Sequence, residues 1–122
     1  MTLQDNLFTI VSQHQEEGTA AFQVRLRPEW PIYKAHFPGH PITPGVCIVQ
    51  MVQELLQGLL QRELILRHAK NVKYLSIVSP EEVTDLTITF SKIEEQPDGN
   101  IKVQAQVTSS ETLYTKLSVT FE

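Results

Sequence analysis

Apolar and polar residues alternate at both ends of this chain, and the middle is apolar with a different period. Phe22, Val24 and Leu26 alternate with Gln23, Arg25 and Arg27, after a weaker apolar run from Leu7 to Val11 and a turn at Glu17-Gly18. A period of two places successive side chains on opposite faces, so these segments predict two antiparallel strands. Further on, Leu86, Ile88 and Phe90 alternate with Thr87, Thr89 and Ser91. Ile101, Val103, Ala105 and Val107 alternate with Lys102, Gln104 and Gln106, and Leu113, Leu117, Val119 and Phe121 keep the same phase. Three more strands follow, the first two joined through the turn-forming run Gln96-Pro97-Asp98-Gly99-Asn100. Val72 to Val78 predicts a sixth strand, ended by Ser79-Pro80.

Between the two groups of strands the pattern predicts one helix. It starts after Thr43-Pro44-Gly45 and runs to about Arg62, with a ragged continuation toward His68. Val46, Ile48, Val49, Met51, Val52, Leu55, Leu56, Leu59 and Leu60 do not fit one narrow stripe, so the helix is expected to be covered on most sides. The economical arrangement is α+β: a curved antiparallel sheet of about six strands wrapped around one long central helix, the whole of residues 1–122 forming a single domain. One sheet edge or face is left for a second copy to close, which predicts a homodimer, with higher oligomers open.

Composition narrows the classes of partner. At 122 residues with 41% hydrophobic and 20% charged positions, the chain has the make-up of an ordinary globular protein able to bury a core. A net charge of −4 and scattered Lys and Arg residues leave no basic footprint for nucleic acid. Val46 to Leu60 is interrupted by Gln50, Gln53, Glu54 and Gln57 and falls short of the ~20 residues needed to span a bilayer, so no membrane partner is expected. The N-terminus lacks a signal-peptide pattern, and the one cysteine, Cys47, suits a reducing compartment, so a cytoplasmic location is expected. The four histidines show no metal-ligand spacing, and neither a metal nor another cofactor is called for.

The chemistry concentrates in His36-Phe37-Pro38-Gly39-His40-Pro41-Ile42-Thr43-Pro44-Gly45 and the helix it enters. Three prolines stiffen this loop, while Gly39 and Gly45 permit close backbone approach. The first amides of the helix have no intrahelical partner and lie at the positive end of its dipole, so they can polarise a carbonyl oxygen. His36 can take and return a proton near neutral pH. Together these suit proton removal beside a thioester carbonyl, with the amides stabilising the enolate oxygen.

His36-Phe37-Pro38-Gly39, Pro41 and Pro44-Gly45-Val46 resemble the active-site motif of the 3-hydroxyacyl-acyl-carrier-protein dehydratases, which have the hotdog fold. The resemblance implies a dehydratase-like protein acting on acyl thioesters, carried on acyl carrier protein or coenzyme A, in fatty acid or related polyene-type biosynthesis. It implies His36 as the base acting at the α-carbon and the Gly45 amide as the donor to the thioester oxygen. Phe37, Gly39, Pro44 and Val46 would line the substrate. It also implies a carboxylate on the central helix of the neighbouring subunit that assists departure of the hydroxyl. Aligned without gaps, that carboxylate falls at Gln50, and a glutamine of the family pattern falls at Glu54.

Glu54 is on the same helix face, a rise of about 6 Å further on. Glu54 could act through a shifted substrate or a water, Gln50 could hydrogen-bond the hydroxyl while His36 transfers every proton, or the site could bind thioesters without dehydrating them. Two other functions follow from the same residues: an acyl thioesterase, and a silent partner subunit that completes an active paralogue. The segment Tyr74 to Pro80 lacks the paired arginines common in the family. Plainer roles are a core position for Cys47, packing under the loop for Trp30, a solvent-facing His40, and solvated-edge positions for Gln53 and Gln57.

Overall fold

A computed structural model of the protein describes residues 2–35 and 39–122. The elements follow in the order β1 (Phe8–Glu16), β2 (Thr19–Leu26), α1 (Ile32–Ala35), α2 (Gly45–Leu60), β3 (Leu66–Tyr74), β4 (Asp85–Glu95), β5 (Ile101–Ser109) and β6 (Thr112–Phe121). The six strands form one antiparallel sheet in the order β1-β2-β4-β5-β6-β3. Where the sequence alternates, burial alternates. Phe22, Val24, Leu26, Leu86, Ile88, Phe90, Val103, Val107, Leu117 and Phe121 point inward and are buried, while the residues between them are more exposed. The β4–β5 hairpin closes through the expected turn: the Gln96 amide donates to the Asn100 carbonyl at 2.7 Å, and Gly99 takes φ 88°.

Helix α2 lies on the inward face and shares one core with the sheet. Its buried residues are Cys47, Ile48, Met51, Val52, Leu55 and Leu56, spaced three and four apart along one stripe. Fully burying such side chains stabilises by roughly 2 kcal/mol each, before the entropy cost of ordering them. Cover on most sides is therefore not reached within one chain: Val46 is 74% exposed, and Val49, Leu59 and Leu60 are half-buried.

Three boundaries depart from the sequence expectation. The helix stops at Leu60 after 16 residues, because Gln61 adopts the left-handed conformation (φ 54°, ψ 47°) and its amide closes back on the Gln57 carbonyl. The stretch toward His68 is not helical. It enters β3, which begins at Leu66, well before Val72, and ends at Tyr74 rather than Val78. As an edge strand, β3 has a largely exposed set of side chains, and register shifts between Leu66 and His68 and between Ala69 and Asn71 erase the period of two. Finally, Gln53 and Gln57 do not sit on a solvated edge. The Gln53 Nε2 donates to the Leu64 carbonyl at 2.9 Å, and the Gln57 Oε1 accepts from the Leu64 amide at 3.0 Å, clamping buried Leu64 to the helix. No described helix is long and apolar enough to cross a membrane.

Candidate functional site

The start of α2 is held by a short relay of buried polar groups. Tyr33, on α1, is 3% exposed, and its hydroxyl pairs with the Thr43 Oγ1 at 2.9 Å. Loss of solvent around the ring pushes the Tyr33 phenol up to about 12, against the smaller opposing pull of the Thr43 hydrogen bond. The Thr43 amide donates to the Val78 carbonyl at 2.8 Å, so one residue ties the loop both to α1 and to the segment after β3. Pro44 then occupies the N-cap with φ −59° and ψ 142°, and its side chain offers no hydrogen bond to the helix.

The first turn of α2 is therefore open. Among the described residues no acceptor takes the Gly45 or Val46 amide, and the turn contains no acidic side chain to offset the positive end of the dipole. Tyr74 closes over this end from β3. Its hydroxyl donates to the Gly45 carbonyl at 2.9 Å, and a Cβ on Gly45 would meet the Tyr74 Cζ at 2.7 Å. Glycine is required there for the ring to lie so close. Beside it, an open cleft of about 360 Å³ is walled by Ile42, Thr43, Gly45, Ile48, Tyr74 and Leu75 and continues along Ser76, Ile77 and Val78. A largely apolar wall with helix amides at one end suits an acyl chain whose carbonyl is held at that end.

Cys47, 3% exposed, is in this turn, yet burial pushes its thiol up, which fits a core residue rather than a reactive thiolate. The inner sheet surface at this end holds Thr115, register partner of Tyr74, which is 0% exposed. Its Oγ1 has no hydrogen-bond partner among the described residues. Among the described residues no group of three His, Cys, Asp or Glu side chains comes close enough to hold a metal ion.

Of the residues singled out in the sequence, Pro44, Gly45 and Val46 form this helix start, and Gly39 lies earlier in the loop with φ 89°. His40 is exposed. His36 and Phe37 lie outside the described residues. Gln50 and Glu54 are both half-buried and joined: the Gln50 Nε2 donates to the Glu54 Oε2 at 2.8 Å. The same Oε2 accepts the Leu3 amide at 2.8 Å, and the Oε1 accepts the Gln4 amide at 2.8 Å. Every one of these contacts uses the Glu54 carboxylate as an acceptor, and two of them bind it to a segment fifty residues away. Sequence reasoning missed Tyr33, Thr43 and Tyr74. Tyr74 carries no local signal, since its role comes from the β3 edge folding against a glycine 29 residues earlier.

Comparison with solved structures gives the fold. The chain has the hotdog fold. It aligns with the dehydratase heterocomplex ApeI:P from Xenorhabdus doucetiae at 19% identity and a TM-score of 0.67, covering 92% of this chain and 95% of that one. An uncharacterised protein from Erwinia carotovora aligns at 18% identity and a TM-score of 0.63, over 95% and 94% of the two chains. A hypothetical thioesterase with coenzyme A from Streptococcus pneumoniae aligns at 11% identity and a TM-score of 0.64, over 93% and 83%. No curated protein sequence matches it. Residues 12–114 match the ApeI-like family, described as ApeI dehydratase, and the chain belongs to that family.

Proposed function

We propose that this protein dehydrates 3-hydroxyacyl groups carried as thioesters on acyl carrier protein or coenzyme A, in fatty acid or related polyene-type biosynthesis in the cytoplasm. The observation that carries this reading is the open start of α2, two helix amides without an internal acceptor at the head of an apolar cleft, in a chain of a dehydratase family. In the reaction, His36 takes a proton from the α-carbon, and negative charge collects on the thioester oxygen facing the Gly45 amide. The electron pair then forms the α,β double bond as the bond to the hydroxyl oxygen breaks. The proton held by His36 goes to that oxygen, and water leaves. Neither an oxidant nor a cofactor enters the balance.

A second copy of the chain would complete the site. Val46, Leu75 and Ile77 are 74%, 52% and 63% exposed around the cleft, and β3 presents an unpaired edge beside them. Exposed apolar side chains along a bare edge favour pairing with another chain, in this reading an identical one. A partnership with a paralogue is the second reading. It is supported by Gln50, which stands where the family resemblance implies a carboxylate, and by the heterocomplex among the structural neighbours. The coenzyme A thioesterase neighbour keeps hydrolysis as a separate outcome.

Purified protein incubated with 3-hydroxyacyl thioesters of both carriers tests the proposal, with enoyl product and free thiol followed separately. Enoyl product is expected, with the rate falling by about 10²- to 10⁴-fold in His36→Ala. Equal rates from the two proteins would remove His36 from the mechanism. Free thiol without enoyl product would make the protein a thioesterase, and activity only with a co-purifying similar chain would make it a partner subunit.

A further inference from the structure

The lysines that lie scattered along the sequence are gathered by the sheet. On β4, β5 and β6 the residues between the buried ones point outward, away from α2 and the cleft, and the pairing carries the same face onto β3. Lys73 stands across from Lys116, and His68, Thr120 and Lys102 form one row over three strands. Asn71, Ser118, Gln104 and Lys92 form another. Lys70, in the bulge between Ala69 and Asn71, lines the same surface. The face thus holds Lys70, Lys73, Lys92, Lys102 and Lys116, five of the ten Lys and Arg residues of an acidic chain. One of the five is paired: Lys92 meets Glu94 at 3.3 Å, and among the described residues no carboxylate comes within ion-pair distance of the other four. Like charges directly opposite one another, as at Lys73 and Lys116, destabilise a sheet, and a counter-charge from outside would relieve them.

Size and chemistry select the partner. Two open grooves of about 370 and 230 Å³ run between the lysines and share Gln104 and Ser118. The face extends roughly 17 Å along β3 at ~3.3 Å per residue and roughly 14 Å from β3 across to β4 at ~4.8 Å per strand. That is too broad for a single phosphate or carboxylate and accommodates a helix about 10–12 Å wide. Neither groove is lined by Phe, Tyr or Trp, the rings on which bases stack and which anchor proteins at membrane interfaces. Glu94, opposite Lys102, and Glu122, just past the end of β6, border the face. An extended polyanion would meet these carboxylates, whereas a bounded acidic patch would not.

We propose that the outer face of β3, β6, β5 and β4 is a docking surface for the acidic patch of another protein, a row of Asp and Glu side chains such as one helix presents. Lys73 and Lys116 meet carboxylates over one groove, and Lys70 and Lys102 over the other. Complementarity of this kind steers encounter and fixes register more than it adds affinity, so the association weakens steeply with salt. The face lies on the far side of the sheet from α2 and the cleft, so the inference goes beyond the proposed reaction and holds whichever chemistry the cleft performs.

Titration of the wild-type protein with a hexaglutamate peptide at low ionic strength, followed in the ¹⁵N–¹H spectrum, locates the surface without any variant. Signals of β3, β5 and β6 are expected to shift, and added salt should reverse the change. No binding, or shifts confined to other elements, overturns the proposal. Lys116→Glu and Lys34→Glu change the net charge equally at two exposed positions, one on the face and one on α1. The first is expected to weaken binding of the peptide about fivefold and the second less than about twofold. Equal losses would reduce the effect to net charge and overturn the assignment of the face. Single-stranded hexathymidylate and vesicles of phosphatidylserine and phosphatidylcholine complete the test. Tighter binding of either than of hexaglutamate overturns the choice of an acidic protein as partner.

Discussion

The two ends of α2 are built to opposite purposes. Toward the C-terminal end, Leu55 and Leu56 are buried, and Gln53, Glu54 and Gln57 each hold a distant backbone group: the Leu64 carbonyl, the Leu3 and Gln4 amides, and the Leu64 amide. At the N-terminal end Val46 is exposed, the cap is a proline, and Gly45, whose amide meets no acceptor among the described residues, lines a cleft. One end seals the helix into the fold and the other is kept available. Polar residues on an otherwise apolar helix are thus not evidence of catalysis by their type. What they hold decides, and here Gln53, Glu54 and Gln57 fasten other segments of the chain.

The largest effect should separate the ends by stability. Leu56→Ala, at a position with 0% exposure, is expected to cost about 3 kcal/mol by loss of burial and creation of a cavity. Val46→Ala, at 74% exposure, should cost less than about 0.5 kcal/mol in the separated chain. Chemical denaturation of both variants measures the pair. Similar costs would mean that Val46 is buried in solution, and dilution to dissociate any dimer would then bring its cost down.

Tyr33 supports the open end from beneath and gives the second effect. Its phenol pKa is raised from 10.0 to about 12, so the folded state holds the proton more tightly than the unfolded chain. The resulting stability is fully present below pH 10 and is lost as pH rises toward 12, on the order of 2 kcal/mol in all. Unfolding free energies measured across that range should fall in the wild type and fall less steeply in Tyr33→Phe. Parallel curves would exclude Tyr33 as the group responsible.

How much of this could be read from residues alone differs between the sheet and the site. The inward sets on β2, β4 and β5 follow from strict alternation, since one face meets the core and the other does not. On β6 the same phase carries Thr115 into the core with its hydroxyl unpartnered among the described residues, a place where pattern outweighs polarity. β3 was misplaced because an edge strand with bulges has no buried face to impose a period. In the site, the Pro44-Gly45 helix start was legible because proline and glycine act locally. The role of Glu54 was not: its partners Leu3 and Gln4 are some fifty residues away, and spacing on a helix says nothing of a segment folded against it. The same holds for Tyr74 over Gly45.

A small effect on stability should carry a large effect on function, and it sits at Gly45. A methyl group there would fall 2.7 Å from the Tyr74 Cζ and 2.9 Å from its hydroxyl oxygen, too close to stand. Gly45 does not have a positive φ, so alanine meets no backbone strain, and helix propensity slightly favours it. The Tyr74 side chain is half-exposed, at 52%, so its ring can swing aside and lose only one exposed hydrogen bond to the Gly45 carbonyl. Gly45→Ala is therefore expected to change stability by less than about 1 kcal/mol. The displaced ring moves at the head of the cleft, and the new methyl stands beside the amide assigned to the thioester oxygen. Turnover of a 3-hydroxyacyl thioester should fall about tenfold or more, most of it in kcat, because donor geometry matters most as charge develops. Tyr74→Ala in the same background removes the ring that the methyl strikes. Recovery of activity in the double variant would place the defect in the Tyr74 clash, whereas continued loss would place it at the amide itself.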